Sequence, residues 1–377
     1  MLKNFKSIIN QNFRNFQGWN TKRNIVVIES DDWGTIRMPS KEVFDKLLRS
    51  GIRVDRCAYN MYDTLASEED LTALFDVLLQ FKDINGKSPV ITANTIVANP
   101  DFDKIRASGF KEYHFEHFTE TLKRYPNHKN SFLLWKQGMH ENIFIPQFHG
   151  REHLNIQRWL TALQTNLPET HMAFDLNLFG ISSHITTEKR RSYMAALDFD
   201  LISELDNQKV ILTDGLNLFE KIFGYRSLSF IATNHIWHGN IEPDLVKSGI
   251  EYIQGASSQY QPMGNNNPFK IIRHKLGEKT DLGQFFLTRN CSFEPSLNKS
   301  KSIVNDCIED MTSAFRWGKP AIISSHRLNF IGSIVPGNRT KNLNMLTELL
   351  KIALEKWPQI EFVSSAQLGD IIKADSK

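Results

Sequence analysis

The sequence predicts an α/β protein whose parallel sheet closes into a barrel. Three observations predict it. Apolar runs of strand length alternate with stretches of helical period along the chain. About seven or eight such units succeed one another without a low-complexity linker, within the range of barrel domains. Residue types that carry chemistry fall just past the apolar runs, where a parallel barrel gathers its functional groups.

Bulk properties bound the possibilities. The 377 residues are 41% apolar and 23% charged, a globular composition. A net charge of +3 is small for this length and argues against nucleic acid as main partner. Cys57, Cys291 and Cys307 form no paired framework and no Cys-x-x-Cys motif, so free thiols in a reducing compartment are expected. The first twenty residues lack the apolar core of a secretory signal, and no run is long enough to span a membrane, so the expected location is cytoplasmic.

Phe5, Ile8, Ile9, Phe13 and Phe16 recur at helical spacing beside Lys3, Lys6 and Arg14, which predicts an amphipathic helix. Residues 1–23 are therefore read as an N-terminal extension and 24–373 as a single barrel domain with insertions. Residues 25–28 make an unbroken apolar run, the mark of a strand buried on both faces, and end in Glu29, Ser30, Asp31, Asp32, Trp33 and Gly34. Ser40 caps a helix that Gly51 ends, and Ser67-Glu68-Glu69-Asp70 reads as a capping box. Residues 88–94 read as the next strand, 113–125 as a helix, and 143–148 as a strand end. A helix follows at 155–163, and 182–205 is read as helical at its centre. Strands are expected at 227–232, 251–254, 285–288, 321–325 and 360–363. Helices are expected at 243–249, 301–317, 343–357 and 366–372. The polar stretch 259–268 reads as a long loop, a candidate lid.

Two adjacent carboxylates past a buried strand are costly unless a cation neutralises them. Asp31 and Asp32 follow one strand, His149 and His153 another, Asn234 a third and His326 a late one. On one helical turn, His149 and His153 would face the same way, so two imidazoles could share one ion with an Asp and leave a position open for water. The second Asp could then serve as base, and His326 as acid. His235 and His238 form a further His-x-x-His, read as rim residues. Trp33 and Trp237 are candidates to stack on a sugar ring or to pack the rim. Arg151 is a candidate partner for a carboxylate near the site. Lys189, Arg190 and Arg191 read as a solvated helix face.

These motifs resemble the polysaccharide deacetylase family, the NodB-homology or carbohydrate esterase family 4 group. Ser30-Asp31-Asp32 matches its first motif, His149 and His153 its second, and the apolar strand ending at His326 its fifth, in order along residues 24–373. The resemblance implies a deformed (β/α) barrel of about seven units, as in NodB-like glycoside hydrolases and deacetylases. It implies Asp31 as general base, His326 as general acid, and Asp32, His149 and His153 as ligands of one divalent metal. Zinc is the expected ion, with cobalt, nickel or iron as alternatives. The substrate implied is an N- or O-acylated carbohydrate. Two departures stand out. At 231–234 the third-motif Arg and Pro are missing, and Arg289 is the candidate replacement. The fourth-motif Asp has no match beyond Asp281 or Glu294. A glycan-binding relative without catalysis, or a hydrolase of non-sugar amides or esters, are the alternatives.

Overall fold

The computed structural model describes residues 15–265, 267–298 and 302–376. Phe5, Ile8, Ile9 and Phe13 of the predicted amphipathic helix lie outside them. Phe16 is exposed, its ring edge-on to Trp317 at 5.7 Å.

Thirteen strands are present among the described residues: β1 (Asn24–Trp33), β2 (Ile91–Ile96), β3 (Ala98–Pro100), β4 (Phe115–His117), β5 (Phe144–Gly150), β6 (Ser229–Phe230), β7 (Tyr252–Gly255), β8 (Ser258–Gln261), β9 (Lys270–Arg273), β10 (Phe285–Thr288), β11 (Cys291–Ser292), β12 (Ala321–His326) and β13 (Ile360–Phe362). Nine form one parallel sheet in the order β10-β7-β6-β5-β2-β1-β12-β11, with β13 beside the start of β1. The sheet curls: its two end strands are successive pieces of one segment, 285–292. Phe285–Thr288 pairs with β7 and Cys291–Ser292 with β12. Between them the Arg289 N–H donates to Gly255 O at 2.8 Å and the Asn290 N–H to Ile322 O at 3.2 Å. Arg289 thus sits where the chain changes neighbours, facing the inside of the curl.

The alternation of β1 divides the interior in two. Ile25 and Val27 pack with Tyr252, Leu287 and Ile322 at one end. Two and four residues on, Glu29 and Asp31 share that face and meet charge instead of carbon. Val26 and Ile28 point the other way, into the largest apolar cluster, with Leu74, Trp135 and Leu346. The strand runs through the acidic pair to Trp33 rather than ending before it.

Most predicted elements are present, with corrections. The capping box closes: Ser67 Oγ accepts from the Asp70 N–H, and the Ser67 N–H donates to Asp70 Oδ2 at 3.0 Å. The stretch 113–125 is strand β4 followed by a helix at Phe118–Arg124, because β4 pairs with β3. The predicted loop 259–268 overlaps an antiparallel hairpin, β8 against β9. The largest correction concerns 182–205, which is irregular until the helix Glu204–Phe223 begins. Here side chains compete for the backbone. The Glu169 carboxylate takes the Thr187 N–H at 3.1 Å, and the Asn155 amide donates to Ala195 O and Asp198 O. Lys189–Arg191 is accordingly no helix face. Arg190 donates to Ile181 O at 2.8 Å and Arg191 pairs with Asp200 at 2.6 Å.

Candidate metal centre

The ends of β1, β5 and β12 and the turn after β6 contribute to one cavity of about 270 Å³. Asp31 and His326 are register partners on β1 and β12. Regular alternation would send Asp31 and Asp32 to opposite faces. Asp32 instead has a φ of 71°, and the β1–β2 register shifts between Ser30 and Trp33. This bulge turns the second carboxylate into the same cavity as the first. A non-glycine residue in that region is strained, and the strain is held by what Asp32 touches.

Asp32 Oδ1 lies 3.5 Å from His149 Nε2 and 3.2 Å from His153 Nε2, all three side chains being buried. Asp32, His149 and His153 are the group able to hold a metal ion among the described residues. Ligand atoms ~2.0–2.1 Å from a shared tetrahedral ion stand about 3.3 Å apart, so the spacing fits. The tautomer fits as well: His149 Nδ1 lies 2.9 Å from Ile231 O, and an N–H there leaves Nε2 free as a donor atom. His153 Nδ1 is buried without a hydrogen-bond partner. Burial lowers the His153 pKa to about 4 despite the charge of Asp32, so its ring is neutral as a ligand must be. The imidazoles do not share a helical turn, contrary to expectation. His149 ends β5, and Gly150, at φ +145°, reverses the chain toward His153. A Cβ at Gly150 would press within 3.2 Å of Glu152 O. Arg37 holds the other oxygen of Asp32 at 3.2 Å and also lies 3.6 Å from Asp63, which pairs in turn with the fully buried Arg327 at 2.9 Å.

Asp31 is gripped by Arg289: Nη2 to Oδ1 at 2.6 Å and Nη1 to Oδ2 at 2.7 Å, while Nε reaches Glu29 at 2.6 Å. Asn94 adds a hydrogen bond to Oδ1 at 2.7 Å. Burial alone would raise the Asp31 pKa, but the Arg289 guanidinium overrides it and holds the carboxyl well below the usual range. His326 Nε2 faces Asp31 Oδ2 across 3.8 Å, and its Nδ1 is 2.6 Å from Glu294 Oε1. Burial pulls the imidazole down, the Glu294 carboxylate and then Asp31 and Asp32 push it up, and the pKa rises to about 9. Tyr59 stands edge-on to the same ring at 5.6 Å.

Other predicted site residues are placed differently. Asn234 lines the cavity, exposed, at a φ of 57°. Trp33 is 1% exposed and packs edge-on to Phe144 and Trp135; Trp237 is 2% exposed and stacks on His274. Neither ring is free to stack on a ligand, because each fills a space between elements. Arg151 pairs with Glu152 at 2.8 Å and Asp214 at 2.7 Å, outside the metal group. Asp281 is exposed, so Glu294 takes the place beside His326. His235 and His238 do not converge: His235 lines the cavity, whereas the His238 ring packs near Phe199. The sequence reading missed Asn94, Arg37, Tyr59 and Glu29. Asn94 and Glu29 stood at predicted strand ends and carried that signal; Arg37 and Tyr59 lie in loop and short helix and carried none.

No protein-family model matches the sequence, and no curated protein does. Among solved structures, an inferred polysaccharide deacetylase from Mycobacterium smegmatis shares 10% identity over 96% of this chain and 94% of its own, at a TM-score of 0.45. An inferred glycoside hydrolase/deacetylase from Parabacteroides distasonis shares 8% over 95% and 73%, at 0.48. PuuE allantoinase shares 9% over 93% and 91%, at 0.45. These likenesses run nearly the whole length of the chain and stay below a TM-score of 0.5.

Proposed function

We propose that this chain is a metal-dependent hydrolase that removes an acyl group, N- or O-acetyl, from a carbohydrate. One observation carries the reading. A buried Asp-His-His group with metal-ligand spacing lies beside a second carboxylate and an imidazole that face each other across 3.8 Å. Asp32, His149 and His153 would hold the ion, with zinc as our expected choice for this donor set. Bound there, a divalent ion supplies Lewis acidity and lowers the pKa of water.

The chain's own groups do the rest. Asp31, an ionised carboxylate, takes the proton of the attacking water at Oδ2. Arg289 donates to both its oxygens, which orients the base. His326, protonated near neutral pH through Glu294, gives its Nε2 proton to the departing amine or alcohol. Arg289 and Glu294 supply the two partners whose apparent absence favoured a non-catalytic glycan binder, so hydrolysis is the reading adopted. The seven-unit deformed barrel, formed by 24–373 behind an N-terminal extension, belongs to the same proposal, with segment 285–292 counted as one strand and β13, which pairs only with the start of β1, left out of the count.

The test is acetate release from acetylated oligosaccharides by the metal-loaded protein, with and without chelator. Release abolished by chelation and restored by zinc is expected. Release that ignores chelator would overturn the metal role, and faster release from non-sugar amides or esters would move the substrate class.

A further inference from the structure

The segment between the Asp175 helix end and Glu204 has a placement that the hydrolase reading does not use. Irregular throughout, it nevertheless lines the cavity as a strap, through Ser182, Ser183, His184, Ser192 and Met194. At one end Asn60 Nδ2 donates to Gly180 O at 2.8 Å, the Ser182 N–H donates to Asn60 Oδ1 at 3.3 Å, and Cys57 Sγ and Ser182 Oγ lie 2.8 Å apart. Those anchors belong to the Ala58–Tyr62 helix and its cap, on the His326 side. At the other end the Ala196 N–H donates to Thr233 Oγ1 at 3.1 Å, past β6. In the sheet β6 and β12 are separated by β5, β2 and β1, so the strap spans from one wall to the opposite one. In between, the Asn155 N–H donates to Tyr193 O at 2.6 Å and the Thr187 N–H donates to Glu169 Oε1 at 3.1 Å; past Ala196, Arg158 holds Asp198 at 2.7 Å and Asp200 at 2.8 Å. The strap is pinned along its length, not hinged.

What it leaves is small, with polar side chains beside Tyr59 and Met194. The cavity of about 270 Å³ lies at the lower end of the roughly 300–1,000 Å³ of pockets for drug-sized ligands. Ser182, Ser183, His184 and Ser192 of the strap line it together with Asn234 and His235 from the turn after β6. Hydroxyl, amide and imidazole groups suit the hydroxyls of a polyol. Trp33 and Trp237, the rings a running sugar chain would stack on, are buried elsewhere.

We propose that the site takes a single acylated sugar residue, free or at the end of a chain, and excludes the interior of a polysaccharide. The inference rests on the hydrolase reading for the reaction but not for the binding. Its test is a matched series given to the zinc-loaded protein: acetylated methyl glycosides of glucosamine and xylose, against chitotetraose and acetylxylan. Acetate release is measured alongside saturation-transfer NMR of binding. The expected result is a kcat/KM for the methyl glycosides and for chain-terminal residues about tenfold or more above that for internal residues, the scale a pocket contact discriminates, with the position of each loss read by mass spectrometry of the products. Equal or faster release from internal positions of the chains overturns the inference and leaves the hydrolase reading standing. If no substrate releases acetate, the hydrolase reading fails and binding decides: a methyl glycoside that binds supports the single-residue site, and binding by the longer chains alone, or by none, overturns it.

Discussion

At the scale of residues, the site is a set of charges each held by a named opposite. Asp31 has Arg289 and Asn94, Asp32 has Arg37, and His326 has Glu294. The residues proposed as ligands, base and acid could be picked out as candidates because acids and histidines past apolar runs have few structural uses. Their partners were less so, since an Arg or Glu is common on any surface; Glu294 and Arg289 stood out only against motif positions left vacant. Asp31→Asn is expected to abolish turnover and retain metal, measured by bound-metal analysis beside the acetate assay; loss of the ion would make Asp31 a ligand. Arg289→Ala is expected to lower kcat by about 10- to 100-fold at unchanged metal content, as second-layer changes do. Unchanged turnover would refute its role. Glu294→Gln removes the main partner that raises His326. Below pH 6.5 the His326 contribution to stability of the metal-free protein is fully present, and it fades as pH rises through about 9. The variant is expected to lose it at lower pH and to shift the alkaline limb of the kcat profile the same way. An unshifted limb would separate His326 from the acid step.

At the scale of elements, what could be read depended on whether backbone or side chains satisfied the hydrogen bonds. β1, β10, β12 and the capped helix Glu68–Leu79 follow period and caps, and were legible. The strap from 182 was not, because side chains from other elements, Asn155 and Glu169, bond its backbone, a pattern without period. The helix Glu204–Phe223 was missed for another reason: exposed Val210 and central Gly215 blur its apolar stripe. Gly215 is there because a Cβ would stand 2.8 Å from Arg151 and Phe148. The start of the Glu68–Leu79 helix shows how an element joins the fold. Ser67 serves the cap alone, whereas the 1%-exposed Asp70 also accepts from Arg339 at 2.8 Å and from the Gly332 N–H at 2.9 Å. Ser67→Ala is expected to cost about 1 kcal/mol. Asp70→Ala leaves Arg339 with Glu69 alone and two backbone N–H groups without their acceptor, and is expected to cost about 3 kcal/mol. Urea titration separates the two, and equal losses would show that Asp70 acts only as a cap.

At the scale of the whole molecule, the curl of the sheet converts distance in sequence into adjacency at one rim. Asp32 comes from β1 and both imidazoles from β5 and the turn after it, with β2 between them in the sheet. An ion shared by these three side chains ties together segments more than a hundred residues apart, and it does so in the native state alone, because the unfolded chain holds no such cluster. Metal binding must therefore appear as stability of the entire fold, not as a local change. At a free zinc concentration one hundred times Kd the expected gain is about 2.7 kcal/mol, seen as a rise in Tm of the chelator-treated protein on adding zinc. His149→Ala and His153→Ala each remove one ligand and are expected to melt near the metal-free wild type while losing that rise. Asp31→Asn, whose carboxylate lies outside the ligand group, keeps it. A wild-type Tm indifferent to zinc, or one that still responds after both histidines are replaced, would mean that no ion joins β1 to β5, and the reading of the rim as a metal hydrolase would fall with it.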